Sequence, residues 1–219
     1  MKMSRTIIIE GRYDSITRKV VKDIMNVITQ TKGYPDDSLI HIELPTDVDG
    51  TDSYYSEVAD IEFNVEINIT RVLSGEKGYV IESYKIQDED VLEINMTIDE
   101  NREPEVYESI FMKLQEDVRH EIEHLLQDYG RGGRPSPETD TEDDTTFQHH
   151  KRIEEVPAMV QGFYRRAKLQ RRPLNDVMVD DLDTEIENGN LSKLEAEELL
   201  KIWTSYAKRR LPDAVYSKK

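Results

Sequence analysis

His120-Glu121-Ile122-Glu123-His124 sets two imidazoles four residues apart, with a carboxylate directly after the first. In an α-helix, residues four apart project from the same face, so both rings can reach one metal ion. Glu121 lies beside that face, where it can take a proton from a water activated by the metal. The chemistry such a trio supports is metal-assisted hydrolysis. The chain has no cysteine, so neither a disulfide framework nor a thiolate site is possible. A metal must then be held by His and carboxylates. That donor set suits catalytic zinc, about one Zn²⁺ per chain, better than structural zinc. The alternative is a solvated helix whose side chains coincide with the pattern.

The element that must position these residues is legible around them. Pro104 to about Gln127 reads as one helix without internal Gly or Pro. Val106, Ile110, Leu114, Val118, Ile122 and Leu125 form an apolar stripe at helical spacing. At about 100° per residue, His120 and His124 fall on the border of that stripe and Glu121 just inside it. A carboxylate on a core-facing surface is costly unless it has a partner or faces a cleft. The stretch Asp128 to Gly133 is expected to end the helix within one turn of His124. Asp117, one turn earlier, can orient a ligand imidazole from behind or serve as an ordinary surface acid.

With 219 residues the chain can bury a core of its own. Its formal net charge of −17 argues against nonspecific binding to nucleic acid or anionic membranes. No segment approaches the length of a transmembrane helix, and the apolar run near the N-terminus is too short for a signal peptide. The expected compartment is the cytoplasm.

Thr6 to Glu10 is a β-branched run expected as a strand closed by Gly11. Asp14 or Ser15 is then expected to cap a helix to about Thr31. Strands are predicted around Ile40–Leu44, Ile61–Thr70, Tyr79–Ile86 and Leu92–Ile98; most show apolar and polar residues in alternation. Alternation means one buried face and one wet face, hence an α+β fold with a mixed or antiparallel sheet packed on helices. Tyr129 to His150 reads as an acidic, Gly- and Pro-containing connector whose spacing does not match a calcium-binding EF-hand loop. Arg134 to Thr146 within it is expected to be mobile and near the metal cleft. Pro157 is tolerable only in a first helical turn, so the next helix should begin near Glu154. Its basic tract, Arg165 to Arg172, could pair with the acidic connector. Helices at about Leu174–Asn188 and Ser192–Leu211, packed around Trp203, complete an all-helical C-terminal part. The expected organisation is an α+β lobe over 1–128, a connector over 129–150 and a helical lobe over 151–219.

A sheet, a long His-Glu-x-x-His helix, a loop and then a helix offering a carboxylate resembles the order in zincin metallopeptidases. The extended metzincin form is absent: Gln127 and Gly130 stand where that motif has Gly and its third His. Between about Pro104 and Arg172 the chain is most similar to the gluzincin branch, whose third ligand is a Glu on a later helix, often followed three residues on by Ala, as in Glu155-Val156-Pro157-Ala158. The resemblance implies a zinc peptidase acting on peptides or proteins, with His120 and His124 as ligands, Glu121 as general base and Glu155 as third ligand. The Glu-Gly-Arg-Tyr-Asp opening also resembles metallopeptidase-like proteins of tailed bacteriophages, which implies a host cytoplasm or a virion as the setting. A catalytically inactive zincin fold with a structural or interaction role is the alternative within the same resemblance.

Candidates for the third ligand are Glu155, Glu154, the acids of the connector, and His149 or His150. Fixing a loop acid costs entropy that a helix residue avoids. Of the two glutamates, Glu155 lies four residues before Met159 and so on the core-facing side, with Glu154 nearer its edge. His149, His150, Tyr164 and Tyr129 are the candidate donors to an oxyanion.

Overall fold

The computed structural model describes residues 3–33, 39–45, 53–56, 60–73, 78–86, 89–99, 101, 103–132 and 144–217. Among them the chain forms six helices and five strands. A long helix α1 (Met3–Gln30) precedes β1 (Leu39–Leu44), β2 (Tyr54–Ser56), β3 (Ile61–Val72), β4 (Tyr79–Lys85) and β5 (Val91–Asp99). The helices α2 (Glu103–Gly130), α3 (Thr146–His150), α4 (Glu155–Gln170), α5 (Leu174–Glu187) and α6 (Lys193–Arg210) follow.

The sheet order is β1-β3-β5-β4, with β2 pairing to the start of β3. β1 and β2 run antiparallel to β3, β3 and β5 are parallel, and β4 is antiparallel to β5. The sheet is therefore mixed, and the fold is of the expected α+β kind. Alternation along β3 buries Ile61, Phe63, Val65, Ile67 and Ile69. These pack with the apolar stripes of α1 and α2 in one hydrophobic cluster that includes Val20, Ile24, Ile110, Leu114, Val118 and Ile122. The opposite face carries polar ladders, such as Asn68 Nδ2 donating to Asn95 Oδ1 at 2.9 Å.

Two expectations for the N-terminal part need correction. Thr6 to Glu10 is helical, not a strand: α1 runs unbroken from Met3 with Gly11 inside it, so no helix begins at Asp14 or Ser15. A five-residue apolar run has the same periodicity in a strand and in a helix segment, and its β-branched side chains cost a helix well under about 1 kcal/mol each. Asp14 instead meets Lys168 at 2.5 Å and Arg165 at 3.5 Å. The three-residue β2 was not anticipated, because so short a strand leaves no periodic trace. Its Tyr54 is fully buried and donates a hydrogen bond to Asp23 Oδ2 at 2.9 Å.

A second hydrophobic cluster joins α4, α5 and α6 around Trp203, with Val160, Phe163, Val177 and Leu199. The basic tract of α4 does not reach for the acidic connector in its described pairings. Arg165 donates to Gln115 Oε1 at 2.6 and 2.8 Å, and Arg166 pairs with Glu116 at 2.9 Å and Asp181 at 3.7 Å. These side chains face α2 and α5 because an uncompensated charge inside a helix bundle costs far more than one at the surface. Most of Arg134–Thr146 lies outside the described residues. At its end Asp144 pairs with Arg152, and Thr145 caps α3 through a reciprocal capping box with Gln148. That short helix was expected as loop. No helix among the described residues is long and apolar enough to cross a membrane.

Candidate metal centre

α2 runs on to Gly130, a turn and a half beyond His124 rather than less than one. All six expected stripe residues are buried, which turns His120 and His124 toward α4. The helices α2 and α4 run antiparallel and approach closely at Gly162, where a Cβ would stand 3.1 Å from the Glu116 carbonyl oxygen and 3.2 Å from its Cγ. Glu155 precedes Gly162 by two turns, about 10.5 Å of helix. The same distance along α2 from Glu116 reaches the His120–His124 turn. The close approach at Gly162 thereby sets the register that brings a carboxylate from one helix against two imidazoles from another.

His120 Nε2 and His124 Nε2 lie 3.0 Å apart. Glu155 Oε2 is 3.4 Å from the first, and Glu155 Oε1 is 3.3 Å from the second. One ligand atom from each of the three residues lies within 4.8 Å of the others, and the cluster could hold a metal ion. The fit can be tested against zinc. A tetrahedral ion with bonds of about 2.0–2.1 Å sets its ligand atoms about 3.3–3.4 Å apart. The three observed separations are of that size, with one Glu155 oxygen turned toward each imidazole. The fully buried Glu155 Oε2 makes no aligned hydrogen bond among the described residues, an arrangement that a cation would repair.

Electrostatics couple the three groups. Burial alone would raise the Glu155 carboxyl, but hydrogen bonds and charge from His120 and His124 hold it well below the usual carboxylate range. Burial alone would lower His124; its bond to Glu155 and the carboxylates of Glu155, Glu121 and Glu123 outweigh that and raise it. Both shifts are those of a carboxylate and imidazoles that stabilise one another's charge.

Of the expected residues, Glu121 is buried and accepts a hydrogen bond from Ser83 Oγ on β4 at 3.2 Å. That is the partner a core-facing carboxylate requires. Glu154 flanks α4 and is not in the cluster; its carbonyl accepts from Gln127 Nε2 at 2.9 Å. His149 Nε2 lies 3.5 Å from Glu155 Oε2. His150 lines a cavity with His120 and Glu121; burial first, and His149 second, push its pKa down to about 4. α3 is held there by Trp203, whose Nε1 donates to the His150 carbonyl at 3.3 Å.

Three further candidates make other contacts. Asp117 engages Lys113 Nζ at 2.7 Å. Tyr164 packs against the C-terminal cluster with Lys168 over its ring. Tyr129 lies beyond the site at the end of α2 and donates to Asp90 Oδ2 at 3.2 Å. Sequence reasoning missed Ser83 and Gly162, because which strand adjoins α2 and where two helices touch are not local properties. The capping box at Thr145 could have revealed α3 from its Thr-x-x-Gln spacing.

Two expected results arise here. Gly162→Val should force α4 away from Glu116, costing roughly 1–3 kcal/mol in urea unfolding and lowering metal affinity about tenfold in chelator competition. Unchanged affinity would show that the register is held elsewhere. Burial, against the opposing charges of Arg166 and Lys113, pushes the Glu116 carboxyl up to about 7 from 4.5. A carboxyl raised in this way contributes its stability below its unfolded pKa and loses it as pH rises through the folded value. Unfolding measured between about pH 5 and pH 8 should therefore show the parent losing more stability than Glu116→Gln. Parallel profiles would refute the assignment.

Compared with protein-family models, curated proteins and solved structures, the chain gives no significant match.

Proposed function

We propose that this protein is a zinc-dependent peptidase in which His120, His124 and Glu155 hold the ion and Glu121 is the general base. The observation that supports it best is the convergence of two imidazole nitrogens and a buried carboxylate from separate helices, at separations of 3.0–3.4 Å. Zinc, when bound, supplies a Lewis acid that polarises a carbonyl and makes water more acidic. Glu121 takes the proton of the attacking water and passes it to the leaving amine. The Ser83 hydroxyl holds one oxygen of that carboxylate, which leaves the other to receive the proton. His149 and His150 on α3 would donate to a developing oxyanion. β4 is the sheet edge that adjoins Glu121, and an extended peptide could add to it as an antiparallel strand.

A second reading has one observation in its favour. His149 stands 3.5 Å from Glu155 Oε2; as a fourth protein ligand it would close the coordination shell, as in structural zinc sites. The protein would then be an inactive zincin-like structural or interaction protein, for example in a virion. Elemental analysis of protein purified without chelator should find about one zinc per chain, and chelation should abolish peptide cleavage until zinc is restored. Less than about a tenth of an equivalent, with no uptake from added zinc, would overturn both readings. A full equivalent without cleavage would favour the second.

A further inference from the structure

Resting on the peptidase reading, we propose that the cavity beside His120 and Glu121 is a side-chain pocket that selects a lysine or arginine of the substrate. Its volume is about 240 Å³, below the roughly 300–1,000 Å³ of pockets that enclose whole small ligands. It is suited to a single side chain. Along α2 its lining runs from Glu121 back to Lys113, eight residues or about 12 Å of helix. Ile81 on β4 and Met159 and Phe163 on α4 give it apolar walls, against which a methylene stem can lie.

The charged groups are unevenly matched. Glu116, Asp117, Glu121, Asp181 and Glu185 line the cavity with one lysine, Lys113. Lys113 is committed to Asp117 at 2.7 Å, and Arg166 is shared by Glu116 at 2.9 Å and Asp181 at 3.7 Å. Glu185 has a neutral partner, Asn190 Nδ2 at 2.8 Å. The buried Glu116 Oε2 makes no aligned hydrogen bond among the described residues despite its ion pair. His150 is the one imidazole in the lining besides His120. Burial raises both Glu116 and Asp181 above the usual carboxylate range, and the charges of Arg166 and Lys113 oppose it. An entering ammonium or guanidinium supplies the missing charge, whereas a carboxylate adds repulsion and an apolar side chain leaves the deficit in place.

The test uses full-length, zinc-loaded Glu121→Gln protein, so that binding is read without turnover. Four blocked alanine heptapeptides with Arg, Lys, Leu or Glu at the centre are titrated by calorimetry. Arg and Lys peptides should bind at least about tenfold tighter than Leu, with Glu weakest. Adding Glu185→Gln, which keeps the bond to Asn190, should shrink the Arg-over-Leu ratio at least about threefold. Equal binding of all four, no binding of any, or a ratio unmoved by Glu185→Gln overturns the pocket. Cleavage by the parent protein is measured in parallel. Charge-selective binding without cleavage upholds the pocket and refutes the peptidase; cleavage without charge preference does the reverse.

Discussion

Replacing Glu155 by Ala should weaken zinc binding by roughly 100-fold or more, above the 10–100-fold typical of losing an outer partner of a metal ligand. Glu154→Ala should leave affinity within a few-fold. The contrast is sharp because the two carboxylates are neighbours in sequence, both are buried, and only one faces the imidazoles. The remaining His pair would offer two ligands from one helix and nothing from the opposite side. A competing chelating dye reads the affinity, and circular dichroism of the metal-free protein shows whether the fold persists. The reverse pattern would move the third ligand by one residue. No effect from either substitution would place the ion elsewhere.

The other large effect concerns the proton. Glu121→Gln should lower peptide cleavage about 10²–10⁴-fold, the range of general acid–base catalysis, with zinc content unchanged. Gln can still accept the hydrogen bond from Ser83, so the side chain stays in place while its basicity is lost. Zinc content and the unfolding midpoint measured alongside separate loss of the base from loss of the fold. Activity that survives the substitution would remove Glu121 from the mechanism, and loss of zinc would make it a structural residue instead.

What the sequence determined by itself is the local chemistry and the elements with long, regular patterns. The spacing of His120, Glu121 and His124, together with the apolar stripe of α2, placed both imidazoles at the border of the buried face, because helical periodicity is a local property. Pro157 set the start of α4 to within a residue, since proline is tolerated only in a first turn. Three of the four longer strands emerged from their alternation, with Tyr79–Lys85 less regular. Tertiary structure decided the rest. Whether Thr6 to Glu10 is strand or helix depends on what the segment is attached to, as its own five residues satisfy either. That Glu155 rather than Glu154 meets the imidazoles was expected from its side of the helix. What makes them meet is Gly162, where the absence of a side chain lets α4 close on Glu116 and slide the carboxylate into register. Ser83 reaches Glu121 because β4 is the strand beside α2, and strand order is written in no single strand. Local periodicity fixes which way a side chain points along its own element; only packing between distant elements fixes what it points at.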